Sequence, residues 1–162
     1  MEQITVSGQN AIYERHNYKN SVDFSQHLNV IKETLASFNN NVLITIIGSS
    51  GSGKSGLAKV IDCNIENTIL IDSGKLCDYK HQSLDISSLM TNKDTTYIID
   101  EGAYISKESL TSISNHIKNG STVIMLLMDE RDLTLTTLDC DIAGFTLNTN
   151  YLSIKHYLIK EH

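Results

Sequence analysis

The sequence predicts an α/β protein: a three-layer α/β/α fold with a mainly parallel five-stranded sheet and a C-terminal hairpin. Three observations carry this expectation. Short apolar, β-branched runs recur at Val42-Leu-Ile-Thr-Ile-Ile47, Thr68-Ile-Leu-Ile-Asp72, Thr95-Thr-Tyr-Ile-Ile-Asp100 and Thr122-Val-Ile-Met-Leu-Leu-Met128. Segments of helical periodicity lie between most of them. The chain then closes on alternating apolar positions. Strands buried on both faces need continuous apolar runs, and strands separated by helices pair in parallel.

The elements follow in order. The 162 residues suit a single domain, 1–162, with an N-terminal arm and amphipathic helix over 1–40, a core over 41–147 and a closing strand over 148–162. Residues 1–20 are polar with scattered aromatics, Tyr13 and Tyr18, and read as a loose arm or a short hairpin. Over 22–38, Phe24, Leu28, Ile31, Leu35 and Phe38 recur at helical steps, and Asp23 with Gln26 resembles a capping box. Asn39-Asn-Asn41 ends that helix. After the first strand, Leu57, Val60 and Ile61 mark a second helix, and Leu84 to Met90 a brief one. Ser106 caps a helix running to Lys118, with Leu110, Ile113 and Ile117 on one face and Gly120 at its stop. Ala143, Phe145 and Leu147, then Leu152, Ile154, His156 and Leu158, flank Asn148-Thr-Asn150 and predict the closing hairpin.

Composition excludes several classes. The net charge of −6 and only two arginines, Arg15 and Arg131, leave nucleic-acid binding possible through a local basic patch but unsupported by net charge. No window is apolar enough to span a bilayer. Met1-Glu-Gln-Ile-Thr-Val6 lacks the regions of a signal peptide, and Cys63, Cys77 and Cys140 are odd in number and widely spaced. The expectation is a cytoplasmic protein with reduced thiols. Proline is absent, so glycine and asparagine must make the turns.

Between the first strand and its helix lies Gly48-Ser-Ser-Gly-Ser-Gly-Lys-Ser55, which fits G-x-x-x-x-G-K-[ST] without mismatch. A triphosphate needs several donors at once. The loop from Gly48 through Ser49, Ser50, Gly51, Ser52 and Gly53 to Gly56 would supply backbone N–H groups at a helix N-terminus. Lys54 would reach the β- and γ-phosphates, and the Ser55 hydroxyl would ligate Mg2+. A second pattern, Tyr97-Ile-Ile-Asp100-Glu101, ends an apolar strand in two acids.

With these two motifs, residues 41–147 resemble a P-loop NTPase carrying Walker A and Walker B motifs. The chain is most similar to the branch with an extra strand between them and a glutamate beside the Walker B aspartate, which includes RecA-like, AAA+, ABC and DNA-pumping ATPases. The resemblance implies strand order 5-1-4-3-2, ATP and Mg2+ as ligands, Asp100 beside the metal, and Glu101 orienting the attacking water. It also implies work through a homo-oligomer or a partner protein. The ABC signature L-S-G-G-Q is missing, and the fourth strand ends in Asp129-Glu130-Arg131-Asp132 rather than a polar Asn or Thr sensor.

Around this centre the plainer readings prevail. Asp129 reads as one more acid at a strand end, although it could contact the attacking water, and Arg131 reads as a surface salt bridge rather than an arginine finger on a neighbouring subunit. Asp72-Ser-Gly-Lys75 reads as a turn, although an acid binding a phosphoryl acceptor could stand there. The histidines form no ligand pattern, with His116 partly exposed and His156 at a core edge. Tyr13, Tyr18 and Arg15 pack the arm or stack on a base. The expected function is Mg-dependent ATP binding and hydrolysis. The alternatives are a small-molecule or nucleotide kinase, disfavoured by scarce arginine, and a nucleotide-gated binding module.

Overall fold

The computed structural model describes residues 4–6, 12–15, 20–49, 52–73, 85–102, 105–129, 138–148 and 152–158. Three short strands, β1 (Ile4–Val6), β2 (Ile12–Arg15) and β3 (Asn20–Asp23), form an antiparallel meander. Helix α1 (Ser25–Ser37) follows, then β4 (Leu43–Ile47), α2 (Lys54–Asn64), β5 (Thr68–Asp72), β6 (Thr96–Asp100), α3 (Lys107–Lys118), β7 (Val123–Leu127), β8 (Ile142–Leu147) and β9 (Leu152–Leu158).

The main sheet has the order β5-β6-β7-β4-β8-β9. Its first five strands are parallel, and β9 returns antiparallel to β8. This is the expected order, with the hairpin's outer strand added as a sixth. The phosphate-loop pattern therefore leaves the middle of the sheet, with β7 and β8 on either side of β4.

Both faces of the sheet are covered, which is why the parallel strands lack polar alternation. On one face Phe24, Leu28, Ile31 and Leu35 of the α1 segment and Leu57, Val60 and Ile61 of α2 pack on Ile44, Ile46, Ile98, Ile124 and Phe145. On the other, Ile113 and Ile117 of α3 pack on Leu43, Tyr97, Ile99, Met125 and Ile142. Each large apolar side chain buried this way contributes roughly 1.5–3 kcal/mol. The meander lies beside α2, which β1 and β2 both contact.

Four expectations need correction. Residues 1–20 are more than a loose arm or a short hairpin, because the chain forms a three-stranded meander that runs to Asp23 and delays α1 to Ser25. The capping box does not form. Asp23 Oδ1 instead accepts from the N–H and hydroxyl of Ser25, and Gln26 Oε1 accepts from the distant Leu152 N–H at 2.8 Å. The brief helix is a single 3-10 turn, Ser87–Leu89, held by Asp85 Oδ1, which accepts from Ser87 N–H at 2.9 Å; Leu84 lies outside the described residues. Finally, β9 carries a bulge, so Tyr157 rather than His156 stands opposite Ala143.

The α3 boundaries hold as read: the Ser106 hydroxyl accepts from Ser109 N–H, and Gly120 adopts a φ of 91° just past the end. Neither Cys63 nor Cys140 is in a disulfide. No helix among the described residues is long and apolar enough to cross a membrane.

Candidate active site

The loop is tied down at both ends. Gly48 N–H donates to the Leu127 carbonyl at 3.0 Å, fixing its start to β7. A methyl on Gly48 would fall 2.5 Å from Ser52 Oγ and 3.3 Å from Lys54 Cγ, so a side chain there would have to displace the Ser52 hydroxyl and crowd Lys54. Ser52 N–H donates to the Ser49 carbonyl at 3.1 Å. Gly53 then adopts a φ of 100°, a left-handed conformation open to glycine, and α2 begins at the next residue. Ser50 and Gly51 lie outside the described residues.

The α2 N-terminus has no side-chain cap and no acid in its first turn. The positive end of its dipole therefore faces the loop, where an anion is favoured. Lys54 Nζ folds back over the loop and donates to the carbonyls of Gly48 and Ser49 at 2.5 and 3.0 Å. Gly56 is buried in the first turn, where α2 meets the sheet.

One hydrogen bond joins the two motifs. Ser55 Oγ donates to Asp100 Oδ2 at 2.9 Å, while Asp100 Oδ1 accepts from Glu101 N–H at 3.0 Å. Both oxygens of Asp100 are therefore oriented, and the residue is only 5% exposed. Glu101 has a φ of 56°, a costly conformation for a side-chain-bearing residue, so the chain turns sharply after Asp100. Buried Gly102 lets that turn sit on β7: a methyl there would lie 2.6 Å from Met125 Cγ and 2.9 Å from Leu127 Cδ2.

Asp72 joins the group. It ends β5 directly opposite Asp100 in the β5–β6 register. Burial raises the Asp100 carboxyl above its ordinary range, the Ser55 hydrogen bond opposes that, and Asp72 pushes it further up. Burial likewise raises Glu101, with Asp100 and Asp72 adding and Lys54 opposing. Three carboxylates thus face one ammonium, an excess of negative charge that favours a cation.

The donor set suits Mg2+. A hydroxyl and a carboxylate oxygen 2.9 Å apart are hard ligands of the kind this ion takes. Among the described residues no three of His, Cys, Asp and Glu gather into a metal cage. Mg2+ commonly keeps water and substrate phosphate in such positions.

A stability prediction follows from this geometry. Because the folded carboxyl of Asp100 is raised, ionising it costs folding energy, and that cost grows as pH rises through the ordinary carboxylate range. Asp100→Asn therefore raises the melting temperature of the ligand-free protein near neutral pH. A gain of about 1 kcal/mol, typical of relieving such a site, corresponds to roughly 2–4 °C for a chain of this size. With Asp100 as a metal ligand, the same change is expected to remove thermal stabilisation by Mg2+ with nucleotide. Differential scanning calorimetry reads both.

Of the other residues singled out, Asp129 is half-buried just past β7, while Glu130, Arg131 and Asp132 lie outside the described residues. So do Lys75, Cys77 and Tyr18, and the side chains of Tyr13, Arg15 and His156 are not described. His116 Nε2 donates to the Thr95 carbonyl at 2.8 Å and its ring meets Tyr97 edge-on, a structural role away from the site. Sequence reasoning undervalued Asp72, although Ile-Leu-Ile-Asp72 ends as Tyr-Ile-Ile-Asp100 does. It missed Gly102, whose only signal was its place after the acidic pair.

No family model and no curated protein matches the chain. Among solved structures, the chain is similar to a DNA polymerase III gamma-subunit-related protein from Thermotoga maritima, with a TM-score of 0.55 and 9% identity over 75% of this chain and 45% of that one. A RuvB variant from Thermotoga maritima aligns with a TM-score of 0.48 and 18% identity, covering 75% of this chain and 42% of that one. Pif1 helicase from Bacteroides, solved with ADP-AlF3 and single-stranded DNA, aligns at 0.47 and 15% identity, covering 79% and 42%. The chain spans less than half the length of each of these three, and the likeness to the first is one of fold.

Proposed function

We propose that this chain, which has the P-loop NTPase fold, binds ATP with Mg2+ and hydrolyses it. The observation that carries the reading is the hydrogen bond from Ser55 to Asp100, which joins the loop helix to the acidic strand across 45 residues. Lys54 and the uncapped start of α2 lie on that same loop.

In this reading the amides of the loop and the first turn of α2 cradle the phosphates. Lys54 leaves the Gly48 and Ser49 carbonyls for phosphate oxygens. Ser55 and Asp100 hold Mg2+, whose charge would offset that developing on the β- and γ-phosphates. Glu101 orients a water for attack on the γ-phosphorus. As the new P–O bond forms, the bond to the β-phosphate oxygen breaks, and the water's proton passes to Glu101 and then to solvent. The products are ADP and phosphate, and the released energy drives a step in an oligomer or a protein partner.

One observation favours a second reading. Asp72, paired in register with Asp100, stands where a carboxylate could hold an acceptor hydroxyl, which would make the enzyme a kinase. Product analysis separates the two. Incubation with Mg·ATP alone is expected to release free phosphate in step with ADP. ADP formed only when an acceptor is added would favour the kinase, and binding without turnover would favour a nucleotide-gated binding module.

A further inference from the structure

The phosphate loop approaches the β8–β9 hairpin directly at its start and through the α1 segment at its end. At the start, a methyl on Gly48 would lie 3.2 Å from Leu147 Cβ, the last residue of β8. At the end, the Cβ of any residue replacing Gly53 would lie 3.5 Å from Phe24 Cζ. Phe24 is 1% exposed, and its ring meets that of His27 edge-to-face with centroids 5.0 Å apart. His27 Nε2 then donates to the Asn148 carbonyl at 2.9 Å, just past β8. The neighbouring Gln26 Oε1 accepts from Leu152 N–H at 2.8 Å, where β9 begins. Two successive residues of α1 thus grip both sides of the hairpin turn.

His27 is an expensive residue for mere packing. It is fully buried, and burial lowers its pKa and disfavours the charged ring, although the Asn148 carbonyl and Asp23 oppose this. Donation from Nε2 leaves Nδ1 as an acceptor, and that atom is buried with no hydrogen-bond partner. An unsatisfied buried polar atom is destabilising, a cost that a leucine of similar bulk would avoid. The imidazole therefore has a purpose that apolar packing does not serve, and its one hydrogen bond among the described residues is to the hairpin.

We propose that Phe24 and His27 are positioning residues that couple filling of the phosphate loop to the β8–β9 hairpin. The inference rests on the triphosphate reading of the loop. Lys54 must exchange the Gly48 and Ser49 carbonyls for phosphate, so the loop differs between its empty and filled states. That difference reaches Asn148 through Gly53, Phe24 and His27, and reaches Leu147 through Gly48. Packed side chains pass such shifts on because they do not deform continuously. The output is β9, the edge strand of the sheet, whose Ile154 and Tyr157 are 60% and 46% exposed.

Hydrogen exchange on the full chain tests this, with calorimetric titration of Mg·ATP run alongside. Mg·ATP is expected to slow exchange over residues 147–153 about tenfold, within the usual range of site-to-site coupling. His27→Leu is expected to stay folded and to lose that slowing. His27→Gln, which keeps an N–H for the Asn148 carbonyl, is expected to restore most of it. If His27→Leu fails to fold, Phe24→Leu takes its place with the same expected loss. Full slowing in the leucine variant, or Mg·ATP that binds the unaltered chain without slowing the hairpin, overturns the coupling while leaving the site intact. No binding to the unaltered chain overturns both.

Discussion

With Glu101 as the proposed general base, Glu101→Gln is expected to leave Mg·ATP binding intact and to lower phosphate release about 10²–10⁴-fold. Glutamine has nearly the same shape but cannot take a proton from water. The change also removes one of three carboxylates crowded around a single lysine, so the fold is not weakened. Glu101 is half-buried on a left-handed turn, and its backbone N–H donates to Asp100 Oδ1, which ties the turn to the end of β6. A continuous phosphate-release assay, with affinity measured separately, reads the effect. Unchanged release would reduce Glu101 to an acid near the strand end.

Lys54→Ala weakens Mg·ATP binding about 100-fold. Hydrogen bonds to charged groups contribute roughly 1.5–3 kcal/mol each, and each 1.4 kcal/mol is a factor of ten in affinity. An ammonium reaching two phosphate oxygens is thus worth about 3 kcal/mol or more. Lys54→Arg retains the charge but not the compact ammonium that fits among the loop carbonyls, and restores only part of the affinity.

The core was legible wherever the chain's own chemistry decided it. The β4, β6 and β7 runs read as strands because burial on both faces demands uninterrupted apolar residues. Gly53 and Lys54 were legible because a left-handed turn and a fixed cation leave few alternatives. The strand order came from the resemblance rather than from spacing, and the register of β5 through β8 agrees with it.

Long-range partners were not legible. Gln26 forms no capping box because the Leu152 amide, 126 residues away, takes its oxygen. The β9 bulge is a property of pairing and leaves no local mark, so the alternation placed His156 where Tyr157 stands. The meander's strands are three or four residues long and largely polar, too short for alternation to rise above a loop pattern. Asp72 gained weight only once β5 was paired with β6, and His27 only once α1 was set against the hairpin.

The most direct test is calorimetric titration of Mg·ATP into the unaltered chain and into Lys54→Ala. The account predicts one saturable site in the unaltered chain and an affinity about 100-fold lower in the variant. A variant that binds Mg·ATP as tightly as its parent would contradict it.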